Sequence, residues 1–306
     1  MNRKTVLVTG ALGLIGHAVR LRLEERGDKV VAIDRVAGQI DGFDVSECDV
    51  TDIHGLYALA RRHDFTHIVH CGAFSGPMVA ADHPSRIVQV NIGGAVNIAE
   101  LARNIGGARV AFASTATAYG VTPPGPVPEH TIMIPDSVYG ATKASAEHLL
   151  NAYKLQFGLD TVSLRISWVY GPRRRTACLI RDMLCDALAG RASHIPFGKD
   201  FPRQYVHVDD VARAMLLALD TPLLPEQSYN ITGGRRHTIG EVADIVSRVI
   251  PGARISVAPG EDPGDMRQAL FDISAAARDL GYSPRVTLED GIRSYFDWLK
   301  TERSTE

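Results

Sequence analysis

Hydrophobic positions fall along the chain in two alternating rhythms. Val6, Leu7 and Val8 form a short unbroken apolar run, the pattern of a parallel strand buried on both faces. Leu14, Ile15, Ala18, Val19, Leu21 and Leu23 then recur at helical spacing until Gly27 closes the segment. Val30 to Ile33 supply a second strand, which ends on Asp34. Through the first half, strand candidates end at Val8, Asp34, Cys48, Cys71, Ser114 and Trp168, and amphipathic helices lie near 14–26, 53–63, 85–104 and 137–157. This alternation predicts an α/β fold, a doubly wound parallel sheet with right-handed crossovers. The stretch "TPPGPVP", 122–128, can be neither helix nor central strand. It is either an irregular surface loop or one wall of a cleft at the strands' C-terminal ends.

Beyond Pro172 the rhythm changes. Short strands at Tyr229–Ile231 and Ile255–Val257 mix with helices near 177–190, 208–220, 238–250 and 287–302. The expected organisation is a first unit over 1–172 and a smaller C-terminal α+β lobe over 173–306, with 203–220 able to return to the first unit. No internal repeat, heptad run or low-complexity segment interrupts this reading.

Between the first strand and its helix lies "GALGLIG", with Gly10, Gly13 and Gly16 three apart. A glycine triplet alone can be a tight corner. Here it joins a strand to a helix, and an acidic residue, Asp34, ends the next strand about twenty positions on. That is the Rossmann-type arrangement for a dinucleotide. The glycines let backbone approach a pyrophosphate, whose charge sits at the positive helix N-terminus, and the carboxylate suits a ribose. A free 2′-hydroxyl fits Asp34 and a 2′-phosphate is repelled, so NAD is expected over NADP, although Arg35 next door could accommodate that phosphate.

Composition narrows the partners. With 33 Lys and Arg against 35 Asp and Glu, and no basic stripe, nucleic acid is not expected. No apolar run is long enough for a membrane span, and the first strand begins almost at Met1, leaving no room for a targeting segment. Cys48, Cys71, Cys178 and Cys185 are scattered without a CxxC pair and read as reduced thiols of a cytoplasmic protein. The string "HDFTHIVH" carries His63, His67 and His70, but on a strand His67 and His70 face opposite sides, so no metal site is expected. Arg173, Arg174 and Arg175 either bind an anionic group or form a solvated loop, and the solvated loop is the expectation.

The candidate chemistry lies in "SVYGATKASAEHLL". Tyr139 and Lys143, at i and i+4, share one helix face, with Pro135, Asp136 and Ser137 as a start signal. An ammonium beside a phenol favours phenolate and can make it a base near neutral pH. Upstream, "AFASTATAYG" ends a strand in Ser114 and Thr115, whose hydroxyls are expected at the crevice.

Taken in order, the glycine turn, the acidic strand end, the Ser/Thr strand end and YxxxK resemble the extended short-chain dehydrogenase/reductase family, and within it the NAD-dependent sugar epimerases and dehydratases. The resemblance runs through nearly the whole chain, since "HCGA" at 70–73, Asn91 in "VQVNIGGAVN", "LRISWVYGP" at 164–172, "RQYVHVDDVA" at 203–212 and "LGYSP" at 280–284 follow in family order. It implies that Gly10, Gly13 and Gly16, with the backbone near Leu14 and Ile15, cradle the NAD pyrophosphate. It implies Asp34 on the adenosine ribose, Asp49 and Val50 at the adenine, and Cys71, Gly72 and Ala73 along the cofactor with Asn91 nearby. Thr115, Tyr139 and Lys143 become the catalytic set, Tyr139 as acid/base and Lys143 holding the nicotinamide ribose while lowering the Tyr139 pKa. Ser75, Thr115, Trp168, Arg203 and Arg267 fall to the substrate, the two arginines where the family grips a diphosphate. The helices at 85–104 and 137–157 match those of a homodimer interface.

Three activities follow as alternatives: epimerisation of a nucleotide-linked sugar by transient hydride transfer, net oxidation or reduction of a free sugar, sugar acid or polyol, and a sensor without catalysis. A sensor has no need of Thr115, Tyr139 and Lys143 together. Dehydratases of the family carry an acidic pair beside the catalytic hydroxyl, where this chain has Ala116 and Thr117. Trp168 stands where nucleotide-sugar enzymes carry asparagine, and 173–185 lacks the asparagine that accompanies it. Epimerisation is the leading expectation, with a smaller substrate as its alternative.

Overall fold

The structure is a computed structural model that describes residues 4–303. The first half contributes β1 (Thr5–Thr9), β2 (Lys29–Asp34), β3 (Gly38–Ile40), β4 (Phe43–Glu47), β5 (His67–His70), β6 (Arg109–Thr115), β7 (Thr161–Ile166) and β8 (Trp168–Tyr170). The second half adds β9 (Ala192–Ile195), β10 (Pro202–Arg203), β11 (Tyr205–His207), β12 (Ser228–Ile231), β13 (His237–Thr238) and β14 (Arg254–Val257). Between them run α1 (Leu14–Glu25), α2 (Ile53–Ala60), α3 (Pro84–Val88), α4 (Gly94–Asn104), α5 (Val138–Phe157), α6 (Leu179–Leu188), α7 (Val208–Asp220), α8 (Ile239–Val249), α9 (Ser274–Leu280) and α10 (Leu288–Arg303).

The main sheet has the order β12-β7-β6-β5-β1-β2-β4-β3, parallel except at β3–β4. The chain winds outward from β1 in both directions, so the connections after β1 and β5 diverge and leave a crevice at their C-terminal ends. The apolar run of β1 explains the burial on both faces. Val6 and Val8 pack into a core with Val19 and Leu23 of α1 and Val211 and Met215 of α7. Leu7, between them, points to the opposite core, with Ile98 and Leu101 of α4 and Leu150 of α5. Each fully buried Val or Leu of this kind is worth about 1.5–3 kcal/mol over leaving it exposed. A third core, with Met183, Leu184, Ile239, Val242, Val246, Ile292 and Tyr295, holds α6, α8 and α10 together beside the sheet.

The later chain returns to the sheet twice. Helix α7 lies against α1, where Arg22 and Asp209 approach to 3.4 Å. Strand β12, which the sequence pattern groups with the small lobe, pairs with β7 as the sheet's edge, Ser228 opposite Ser163. A four-residue apolar strand carries no mark of which sheet it will join. The strand expected to end at Trp168 is two: β7 stops at Ile166, and β8 leaves the sheet to pair with β11. Hairpin β3–β4 was not expected; its turn is Asp41-Gly42, both at positive φ (52° and 75°), a combination that closes tight hairpins. The single helix expected over 85–104 is interrupted by a π-helical turn, Gln89–Gly93.

Candidate active site

A cleft of about 650 Å³ opens where β1, β2, β5, β6 and β7 end. At one end stands the glycine turn. Gly10 has φ +66°, and a Cβ on it would lie 2.8 Å from the Gly72 nitrogen; a Cβ on Gly16 would lie 2.2 Å from the Gly10 oxygen. These two glycines let the turn fold against α1 and against the strand-five loop. Gly13 is the N-cap of α1, with extended backbone and no side-chain cap, and Gly13, Leu14 and Ile15 line the cleft. An uncapped, positively polarised helix start facing a cleft, with no Cβ in the way, fits a dinucleotide pyrophosphate.

The remaining walls of this end come from neighbouring strand ends. Asp34 accepts the Leu12 and Arg35 amides at 3.0 and 2.8 Å and faces the cleft, as do Arg35, Asp49 and Val50. Cys71, Gly72 and Ala73 form the wall after β5. Thr9 fastens it to β1, its hydroxyl bonding His70 Nδ1 at 2.8 Å and accepting the Gly72 amide at 3.0 Å. Burial lowers His70 to about 3 and raises Cys71 to about 12, so both are neutral, the latter an unreactive thiol.

Helix α5 begins at its Ser137 N-cap, whose hydroxyl accepts the Gly140 amide at 3.2 Å, and carries Tyr139 in its first turn and Lys143 in its second into the cleft. Ser75, Thr115 and the Gly76 backbone face the Tyr139 phenol. Thr115 is fixed in turn by Thr117, whose amide it accepts at 3.2 Å. Burial pushes the phenol above its ordinary value, Ser75, Thr115 and the Gly76 backbone pull it partly back, and the cation acting on it is Arg174. Lys143, expected to depress the phenol, is not among the leading influences on it. Lys143 Nζ is occupied at the cleft floor, donating to the Ala113 carbonyl at 2.8 Å and standing 4.5 Å above the Phe112 ring. Desolvation lowers Lys143 to about 8.

One turn further along the same face, Glu147 meets Arg165 at 2.8 Å, both buried. The Ser114 hydroxyl also donates to Glu147, so Ser114 braces α5 from β6 while Thr115, next to it, serves Tyr139. Arg165 completes the brace by donating to the Tyr119 hydroxyl at 2.8 Å. Sequence reasoning passed over this pair; the signal present was an acid four residues after Lys143.

The other end of the cleft is lined by Ser167, Trp168, Arg174, Arg203, Gln204 and Asp265, among others. Arg173, Arg174 and Arg175 line it too, so the expectation of a solvated loop fails: Arg173 is tied to Asp41 at 2.5 Å and Arg174 donates to the carbonyls of Val169 and Ala177. Two residues expected at the site stand away from it. Arg267 is exposed and held by Glu261 at 2.8 Å. Asn91 is buried behind the wall, where its amide group accepts the Phe74 amide at 2.8 Å and donates to the Phe74 carbonyl at 3.1 Å, setting the loop that carries Ser75. The 122–128 segment does not reach the cleft either; Val127 is buried and bonds Leu270 and Asp272 of the backbone opposite. Among the described residues no group of three His, Cys, Asp or Glu side chains is arranged for a metal, and no helix is long and apolar enough to cross a membrane.

Sheet order, glycine turn and the Tyr139–Lys143 stripe together define a dinucleotide-binding α/β protein with a phenolic acid/base candidate. The model of the NAD dependent epimerase/dehydratase family matches residues 6–232, and the chain belongs to that family. It is 29% identical to UDP-glucuronate 4-epimerase 4 of Arabidopsis thaliana, over 97% of this chain and 75% of that protein. Among solved structures it resembles UDP-glucose 4-epimerase of Thermotoga maritima (TM-score 0.90, 28% identity, 98% and 99% of the two chains). A second similar structure is the NAD complex of UDP-glucose 4-epimerase from Thermus thermophilus (TM-score 0.85, 31% identity, 97% and 99%).

Proposed function

We propose that this chain is an NAD-dependent sugar epimerase that works by transient hydride transfer, in the manner of the nucleotide-sugar 4-epimerases it resembles. The observation that carries this reading is the Tyr139 phenol gathered with Ser75 and Thr115 in the cleft, with Lys143 one turn along the same helix. NAD held in this cleft would supply the hydride acceptor and donor for the substrate carbon. We assign its pyrophosphate to Gly10, Gly13 and Gly16, its adenosine to Asp34, Asp49 and Val50, and its nicotinamide side to the wall at Cys71–Ala73 and to Lys143.

In this mechanism Tyr139 accepts the proton of the substrate hydroxyl, and the Thr115 and Ser75 hydroxyls hold the substrate oxygen in line. The carbinol carbon gives up a hydride and its hydroxyl a proton, leaving a ketone; once the ketone turns over, the hydride returns to the opposite face of the carbon and Tyr139 returns the proton to the oxygen, inverting the centre with no net oxidation. The Arg174 charge favours the phenolate as it forms. Ala116 and Thr117, following Thr115, offer no acid to eliminate water. Asp34 favours NAD over NADP. We further assign a homodimer built on α4 and α5, whose C-terminal end leaves Leu155 and Phe157 exposed, and a cytoplasmic setting, in which the free cysteines stay reduced.

A second reading, net dehydrogenation of a free sugar or sugar acid, is supported by one feature: Arg203 is already paired with carboxylates and Arg267 stands away from the cleft. The test uses NAD with nucleotide sugars and free sugars. Inversion without NADH accumulation identifies the epimerase, and stoichiometric NADH the dehydrogenase. Tyr139→Phe is expected to keep NAD affinity and lose roughly two to four orders of magnitude in turnover. Near-wild-type turnover in that variant refutes both readings.

A further inference from the structure

Arg203 is the cation nearest Trp168 that an anionic substrate would meet, and its charge is already matched. The side chain is 8% exposed, its guanidinium 4.1 Å above the centre of the Trp168 ring. One terminal nitrogen pairs with Asp262, and Nε lies 3.0 Å from Asp265. The two carboxylates sit on the turn Asp262-Pro263-Gly264-Asp265, which fixes them locally: Asp262 accepts the Gly264 amide and Asp265 the Met266 amide, each at 2.9 Å. The Trp168 side chain also favours the Asp265 carboxylate. Arg203 and Asp265 reach the cleft surface, while Asp262, 6% exposed, stands behind them. One guanidinium shared by two carboxylates leaves Arg203 with no charge to spare for an anion, although Arg174, 5.8 Å from the same Trp168 ring, lines this end as well.

We infer that Asp262 and Asp265 are specificity-determining residues, which hold Arg203 out of anion binding and make this wall accept the hydroxyls of an uncharged sugar moiety in place of a diphosphate. A diphosphate brought to Arg203 would meet like charge. To gain the guanidinium it would have to strip Asp262 of its partner and leave a buried carboxylate uncompensated. A sugar hydroxyl donates to a remaining lone pair of the Asp265 carboxylate without breaking the pair. Discrimination of this sort works by an added repulsion as much as by an attraction. The flanking donors are spent: Gln204 bonds Ala269 and Phe271, Gln268 bonds Ala116 and Gly120, and Arg174, the cation on the same Trp168 ring, donates to the Val169 and Ala177 carbonyls. The naming of a sugar as the ligand rests on the proposed function; the charge balance does not.

The test measures heat of binding on the NAD-loaded protein, with UDP as the diphosphate probe and no turnover. Asp262→Asn is expected to tighten UDP binding by about tenfold as Arg203 is released. Tightening of less than threefold, or weakening, overturns the inference. Because loss of a buried pair partner can unfold the chain, the wild-type protein supplies an independent arm. Glucose and UDP-glucose are expected to bind within about tenfold of each other; a larger preference for UDP-glucose overturns the inference. An enzyme that accumulates NADH would sink the epimerase reading and leave both binding results intact, so the two failures are separate.

Discussion

Where Gly10, Gly13 and Gly16 line the cleft its wall is mostly backbone, whereas beside Trp168, Arg203 and Asp265 it is made of side chains already bonded to one another. The backbone end is assembled from the tips of neighbouring strands and holds its shape by close approach, with no room for even a methyl group. The side-chain end draws on segments far apart in the chain and holds its shape by charge. Substituting one end should disturb packing and the other electrostatics, and experiments can be arranged to tell them apart.

The largest effect is expected where the two ends meet, behind α5. Glu147→Ala leaves the Arg165 guanidinium buried without its partner, and should cost about 3–5 kcal/mol of unfolding free energy in urea titrations. The double replacement Glu147→Leu with Arg165→Met should recover most of that, since an apolar pair fills the same space without a charge to desolvate. Equal losses in both proteins would mean that packing, not the ion pair, stabilises this seam.

A smaller contrast sharpens the difference between the ends themselves. Gly16→Ala forces a Cβ into the Gly10 carbonyl and should destabilise by about 1–3 kcal/mol while weakening NAD binding. Gly264→Ala, beside Asp262, meets nothing closer than 3.6 Å and should stay within about 0.5 kcal/mol of wild type by the same denaturation assay. Comparable losses at the two glycines would erase the distinction.

The smallest expected effect is a pH dependence. Desolvation sets Lys143 near 8, so its ammonium is charged below that and increasingly neutral above it. A charged donor is worth about 1 kcal/mol more to a ribose hydroxyl than a neutral one. NAD affinity, followed by calorimetry, should therefore fall about fivefold as pH rises from 7 to 9.5, and Lys143→Met should flatten the curve.

The same contrast explains what the residue pattern revealed. The glycine turn, Asp34 and the Cys71–Ala73 wall are local, each within a few residues of a strand end, and the apolar rhythm locates every one of those ends. Tyr139 and Lys143 were legible because helical spacing alone puts them on one face. Arg203 was singled out, but its partners, 59 and 62 positions on, were not, because nothing in a linear spacing says that a lobe folds Asp262 and Asp265 onto it. Arg173 to Arg175 misled for the same reason: an arginine run has the composition of a solvated loop until Asp41 and the carbonyls of Val169 and Ala177 are seen to hold it. Strand β12 and the π turn lay beyond reach because short apolar segments do not encode their neighbours.

The π turn at Gln89–Gly93 has a bearing on how this chain can change in length. A turn of this kind carries one residue more than an α-helical turn, and each residue advances a helix by about 100°. Deleting any single position there would restore a plain helix and swing Asn91 off the Phe74 backbone, or rotate α4 off the sheet. Insertions and deletions in this stretch should accordingly be selected against even when every substitution in it is tolerated. The lesion would be felt at a distance: with Phe74 unhooked, Ser75 loses its place against Tyr139, and a missing residue on the outside of the molecule silences a hydroxyl inside it.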